Sequence, residues 1–252
     1  MIAVRNLTKT YGAATVVRDV TFQIKHGGIT SIIGPNGAGK STLLGLMSRL
    51  IPATSGTVVV DGLDVADAAS DALARRLSIL RQDNHITARL TVRDLVAFGR
   101  FPHSKGRLTA DDEQRIAQSI SYMGLDSLSA RFLDEMSGGQ RQRAFVAMAL
   151  CQDTDYVLLD EPLNNLDMPH ATGMMKLIRR IADDHGKTFV LVLHDINYAS
   201  LYSDDIIAMR DGAVIHHGPP SAILQTPVLS DIFGIDIAVH DIAGQRFGMY
   251  YV

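Results

Sequence analysis

Polar and apolar residues alternate through Val20-Thr21-Phe22-Gln23-Ile24, the period of a half-buried strand. Gly27-Gly28 interrupts that pattern, and the stretch 29–33 is short enough to be a buried strand. A glycine-rich loop follows, then a helical run from 40 to 51 that Pro52 is expected to stop. Residues 57–60, TVVV, read as a further strand, ended by the turn pair Asp61-Gly62. Between 85 and 152 the pattern turns mostly helical, through TVRDLVAFGR, DDEQRIAQSISYMGL and the apolar run after SGGQ. Strands return at 156–160, 189–193 and 206–209. The last is expected to form a hairpin with 213–216 across Arg210-Asp211-Gly212. Strand–helix alternation of this kind predicts an α/β fold, a mostly parallel sheet covered on both faces, with a helical segment inserted in its middle.

Composition narrows the class. The 252 residues are 46% apolar and 20% charged, enough for one large α/β domain with a sizeable core. A formal charge of −3 gives no global sign of a nucleic-acid partner. The lone cysteine, Cys151, excludes an internal disulfide and reads as a small buried residue on the helix after SGGQ. The start, MIAVRNLTKTYG, lacks the apolar stretch of a signal peptide. The most apolar runs, such as TFVLVL at 188–193, fall far short of the roughly 18 residues of a membrane span. The chain is therefore expected not to cross a membrane alone, although it can sit on one.

The chemistry begins at 34–41. Gly34-Pro35-Asn36-Gly37-Ala38-Gly39-Lys40-Ser41 fits GxxxxGK[ST] between a strand and a helix, where backbone N–H groups cradle phosphate oxygens. Lys40 would reach the outer phosphates and the Ser41 hydroxyl would ligate Mg²⁺. Tyr156-Val157-Leu158-Leu159-Asp160-Glu161 is an apolar strand ending in two carboxylates, at the edge where parallel sheets bind ligands. Asp160 suits a Mg²⁺ shell, and Glu161 can accept a proton from an attacking water. His194 leaves its strand at a matching place, either as a phosphate contact or as a structural histidine. Gln82 is a candidate sensor of Mg²⁺ and nucleotide. Tyr11 either stacks on a base or is a turn aromatic.

A second glycine-rich helix start stands at 136–143, MSGGQRQR. Ser137 and Gln140 make a capping box. Arg141 and Arg143, however, occupy a first turn where each cation is disfavoured by about 0.3–1 kcal/mol against the helix dipole. An anion arriving from outside would account for the glycines and both arginines. Between 75 and 107 basic residues outnumber acidic ones, which fits either a partner-facing surface or a solvated face. His216-His217 is too short to read as a metal site.

In order along the chain, Tyr11, the loop at 34–41, Gln82, SGGQ, LLDE at 158–161, Asn164-Asn165-Leu166-Asp167 and His194 resemble the motif series of the ATP-binding cassette (ABC) ATPases. One departure is DEPLNNLD at 160–167, where the family more often has a threonine after the proline and a serine-alanine-leucine-aspartate loop; Asp167 is kept. The resemblance implies a P-loop NTPase (RecA-like) fold in one domain, 1–252, with an N-terminal antiparallel β subdomain. The catalytic core would span 1–84 and 153–252, and the inserted helical subdomain 85–152. It implies ATP and Mg²⁺ as cofactors, Tyr11 against adenine, and Gly34, Pro35, Asn36, Gly37, Ala38, Gly39, Lys40, Ser41 and Thr42 around the phosphates. Ser41, Gln82 and Asp160 would face Mg²⁺, while Lys40, Glu161 and His194 would be catalytic. Ser137, Gly138, Gly139 and Gln140, with Asp167, would close on ATP held by a second copy, in a head-to-tail pair with two composite sites.

More narrowly, FGRFPHSKGRLT at 98–109 and LNNLDMPH at 163–170 resemble the iron–siderophore and cobalamin uptake group, with LNNLDMPH leaning to ferric siderophores. This implies the cassette subunit of a bacterial importer at the cytoplasmic face of the cell membrane. Its partners would be an integral membrane permease, indirectly an extracytoplasmic substrate-binding protein, and no nucleic acid. Residues 83–107 would meet the permease. A lone iron–sulfur cluster assembly ATPase is the alternative. DNA-repair cassettes carry long inserted coiled coils and ribosome-acting forms fuse two cassettes, unlike this chain. A phosphate-loop kinase would leave SGGQ and His194 without a role.

Overall fold

The computed structural model describes residues 1–82, 84, 86 and 88–250. The chain opens with β1 (Ile2–Tyr11), β2 (Ala14–Ile24), β3 (Gly28–Ile33), α1 (Lys40–Met47), β4 (Ser55–Val60), β5 (Leu63–Asp64), α2 (Ser70–Ala74) and β6 (Leu77–Leu80). A helical insert follows: α3 (Val92–Phe98), α4 (Phe101–Ser104), α5 (Ala110–Tyr122) and α6 (Gly138–Cys151). The chain then returns to the sheet through β7 (Tyr156–Asp160), α7 (Met168–His185), β8 (Thr188–Val192), α8 (Ile196–Tyr202), β9 (Asp205–Arg210) and β10 (Ala213–Gly218). It ends in α9 (Pro220–Ile223), α10 (Thr226–Phe233) and the hairpin β11 (Ala238–Ile242) with β12 (Gln245–Met249).

The central sheet has the order β10-β9-β3-β8-β7-β6, with all neighbours parallel except β10. Its strands read as apolar runs because both faces are covered. Alternate residues feed two separate cores. Val157, Leu159, Phe189, Leu191, Ile206 and Ala208 join a core shared with α3, α5, α6, α7 and α8. Leu158, Val190, Val192, Ile207 and Met209 join a core shared with α1 and the antiparallel sheet β2-β1-β4-β5. That two-sided burial holds the exits of β3, β7 and β8 beside one another, where the site lies.

Three helices of the insert start with reciprocal capping boxes, at Thr91–Asp94, Thr109–Asp112 and Ser137–Gln140. A buried ion pair ties the insert together: Arg100 donates to Asp112 at 2.8 Å and to the Cys151 carbonyl at 2.9 Å. Gly99 is required at this junction, because a Cβ there would stand 2.3 Å from the Met148 carbonyl oxygen. Cys151 is buried, as its sequence context implies. Among the described residues no helix is long and apolar enough to cross a membrane.

Some boundaries differ from the sequence pattern. The helix expected to reach 51 ends at Met47: the Ser48 hydroxyl turns back to the Leu44 and Gly45 carbonyls, and Arg49 takes a left-handed φ of 63°. Pro52 therefore comes too late to stop it. β8 runs one residue earlier than expected, releasing Leu193 and His194 from the sheet. The hairpin across 210–212 is present, with Asp211 and Gly212 both left-handed.

Candidate nucleotide site

The loop leaving β3 curls tightly against its surroundings. A Cβ on Gly34 (φ 144°) would lie 2.1 Å from the Met209 carbonyl oxygen, and one on Gly39 (φ 96°) 2.6 Å from that of Val16. Only glycine tolerates both the backbone conformation and the approach. The loop delivers Lys40 as the first residue of α1. Its buried ammonium donates to the Gly34 and Pro35 carbonyls at 2.8 and 2.9 Å, bracing the loop from inside. Burial lowers the Lys40 pKa, while the neighbouring Glu161 and Asp160 carboxylates oppose that shift.

The carboxylates arrive by sheet register. Asp160 ends β7 opposite Val192 of β8, so Glu161 and His194 emerge from adjacent parallel strands. The Ser41 hydroxyl donates to Asp160 at 3.0 Å. Burial raises the Asp160 pKa, partly offset by that hydrogen bond. Glu161 is buried and has a left-handed φ of 50°, an unusual conformation for a residue with a Cβ. One of its oxygens lies 2.6 Å from His194 Nε2; the other accepts from the Gln82 amide at 2.8 Å. Asn36, Gly37, Ala38, Gly39, Lys40, Ser41, Thr42, Gln82, Glu161 and His194 line a single open cavity of about 380 Å³, with Asp160 directly behind Ser41.

This lining matches a nucleotide phosphate tail. Lys40 and Ser41 open α1 at the cavity, a helix start that favours anions, and only glycine fits at Gly34 and Gly39. The Ser41 hydroxyl, the Asp160 carboxylate and the Gln82 amide form a hard, oxygen-donor set. Few in number, they suit Mg²⁺, which takes most of its ligands from water and phosphate. No group of three or more His, Cys, Asp or Glu residues able to hold a metal occurs among the described residues. His216 and His217 face separate carboxylates, those of Asp231 and Asp205.

Other expected residues stand apart. Tyr11 is about half exposed at the end of β1, with the Lys9 ammonium 4.8 Å from its ring centroid, and is outside the cavity lining. Ser137 and Gln140 satisfy each other as a capping box at the start of α6, and Ser137 and Gly138 are exposed. Gly138 lines a neighbouring cavity of about 330 Å³ that shares only Gln82 with the phosphate side. Asp167 caps α7, accepting from the His170 backbone N–H and contacting the His170 ring; those bonds hold its carboxyl below the usual range. Of the segment 83–107, Asp83, His85 and Thr87 lie outside the described residues.

The helix start at Ser137 does not leave both arginines for an outside anion. Arg143 does not face outward: its guanidinium donates to the Met123 carbonyl at 3.0 Å, at the C-terminal end of α5. That carbonyl end supplies the negative dipole that its own helix start denies it. Only Arg141 stays exposed. Two contacts were invisible in the pattern, Asn164 to Glu161 and Gln142 to the Pro162 carbonyl, because both depend on the turn after Glu161.

The sequence pattern of the ABC transporter family matches residues 17–164. Petrobactin import ATP-binding protein YclP of Bacillus subtilis (strain 168) is 51% identical over 251 residues, covering 100% of both chains. Ferric enterobactin transport ATP-binding protein FepC of Escherichia coli (strain K12) is 39% identical, over 93% of this chain and 88% of that protein. Among solved structures, the dimeric post-hydrolysis state of the cassette MJ0796 bound to ADP and Pi superposes with a TM-score of 0.80 at 28% identity. It covers 87% of this chain and 99% of its own. These relatives are transport proteins, which favours transport over iron–sulfur cluster assembly. With the loop at 34–41, the two carboxylates after β7 and this similarity over its whole length, the chain belongs to the ABC transporter family, as an ATP-binding cassette ATPase grouping with iron–siderophore import proteins.

Proposed function

We propose that the protein is the ATP-hydrolysing subunit of a ferric-siderophore importer and works as a head-to-tail pair on a membrane permease. The observation that carries this reading is the split between the two glycine-rich helix starts. One is gathered with Glu161, Gln82 and His194 around a cavity, while Ser137 and Gly138 face solvent. In this reading Gly34–Ser41 and Thr42 cradle the phosphates of ATP, and Lys40 neutralises the outer ones. Tyr11 stacks on adenine. Ser137, Gly138, Gly139 and Gln140 close on the ATP of a second copy, with Asp167 at the seam.

Ser41, Asp160 and Gln82 would hold Mg²⁺, which supplies charge neutralisation at the phosphate oxygens when bound. Glu161 accepts the proton of the attacking water, and His194 orients that carboxylate and reaches the terminal phosphate. The catalytic core would comprise 1–84 and 153–252, with 85–152 as the helical unit that engages the permease. Exposed Phe98 and Phe101 and the cavity bordered by Gln82, Arg89 and Phe145 support 83–107 as the docking face. The cargo would reach the permease from an external binding protein, with this chain on the cytoplasmic side.

The test is uptake of iron-labelled siderophore in cells lacking the gene. The wild-type chain is expected to restore uptake. Glu161→Gln is expected to bind ATP normally, hydrolyse it at least about a hundredfold more slowly and leave uptake absent. Uptake unaffected by loss of the gene would overturn the cargo; unchanged turnover in Glu161→Gln would overturn the role of Glu161.

A further inference from the structure

The Glu161 carboxylate receives donors from three sources. His194 comes from the exit of β8 and touches Oε1; Gln82 comes from the segment after β6 and touches Oε2. The third donor is the Asn164 side-chain amide, which also bonds Oε2 and belongs to the same turn as Glu161 itself. That turn is closed by the Asn164 backbone N–H on the Glu161 carbonyl at 3.2 Å. Pro162 stands at the position where its fixed φ pre-forms such a turn. Asn164 therefore holds Glu161 through a rigid local link, whereas the other two donors reach it from separate segments.

The two oxygens have different surroundings. Glu161 and His194 line the phosphate cavity and, with Asn164, also a second cavity of about 220 Å³. Of these two cavities Asn164 borders only the second. Its amide bonds Oε2 from the side of that second cavity, and Gln82, which lines the phosphate cavity, shares the same oxygen.

We propose that Asn164 is a positioning residue for hydrolysis: it fixes the rotation of the Glu161 carboxylate that faces the attacking water. This rests on the assignment of Glu161 as the base. The link does not depend on Gln82 or His194, so the carboxylate keeps its orientation when those two turn to the nucleotide. An amide hydrogen bond to a charged acceptor is strong enough for its loss to slow a step by about tenfold.

The experiment compares Asn164→Ala, Asn164→Asp and Asn164→Gln for ATP affinity by equilibrium binding, for kcat and KM, and for thermal melting, alone and in a Glu161→Gln background. Asn164→Ala is expected to lower kcat about tenfold with ATP affinity and KM within about twofold of wild type. Asn164→Asp keeps the shape but loses the donor, so it should lose at least as much, and it decides the matter if the alanine variant folds poorly. Asn164→Gln, which retains an amide, is expected to recover part of the loss. In the Glu161→Gln background Asn164→Ala should change the residual rate by less than about twofold. An unchanged kcat, a loss confined to KM, or an equal loss in both backgrounds would overturn the positioning role. Wild-type turnover in Glu161→Gln alone would instead remove the base on which it rests.

Discussion

The chain contains two glycine-rich helix starts, and their surroundings are opposite. At 34–41 the loop is pressed against the Met209 and Val16 carbonyls, its lysine is buried, and acidic groups converge on it from β7. At 137–140 a Cβ on Gly138 would meet nothing closer than Asn165 Cβ at 3.5 Å, an ordinary contact, and the serine hydroxyl serves only its own helix cap. Sequence chemistry makes the two look alike. Packing separates them: the first is enclosed by its own chain, and the second is presented outward. Gly138 is thus under no packing demand from its own chain, whereas a Cβ on Gly139 would stand 3.1 Å from the Asn165 carbonyl oxygen.

Substitution turns that contrast into numbers. The largest effect is expected at Gly34→Ala, where the new methyl would overlap the Met209 carbonyl in a left-handed conformation. Melting temperature and ATP binding should both collapse. Gly138→Ala should leave melting within a degree or two, because α6 gains a better helix former and meets only open space or ordinary contacts. Its ATP binding should be intact and its ATPase activity lost. Equal damage to folding at both glycines would erase the distinction.

A smaller effect lies away from both helix starts. Asp112 is held at about 2, first by the Thr109 backbone N–H and then by Arg100. Because the folded pKa is depressed from 3.8, this stabilisation is present above about pH 4 and is lost as pH falls through about 2. Thermal melting of the wild type should therefore approach that of Asp112→Asn between pH 4 and pH 2. At neutral pH the variant should melt lower, since it leaves Arg100 buried without its charge partner.

Much of the site was legible in the sequence. The glycines and lysine of 34–41 have fixed spacing, and Asp160 and Glu161 follow an apolar run that only a buried strand explains. Residues placed by tertiary geometry were harder to read. His194 meets Glu161 through the pairing of β7 with β8. Asn164 meets it through a turn that carries Glu161 into left-handed space. Arg143 looked like an anion ligand until α5 supplied a carbonyl end.

The fold shows the same division. Buried strands of the parallel sheet were evident as apolar runs. Most of β1 was not, because register shifts between Val4 and Leu7, and again up to Thr10, break its period of two. The β11–β12 hairpin carries mostly exposed residues, so it has no apolar stripe to read.

In the proposed pair the outward helix start completes the site of another molecule. Lys40→Ala chains and Ser137→Arg chains should each be nearly devoid of ATPase activity alone. Mixed in equal amounts, they can form pairs with one intact loop facing one intact SGGQ, and turnover should return to as much as about a quarter of wild type. Absence of any recovery in the mixture, with both variants folded and able to pair, would mean that SGGQ does not complete a partner's site.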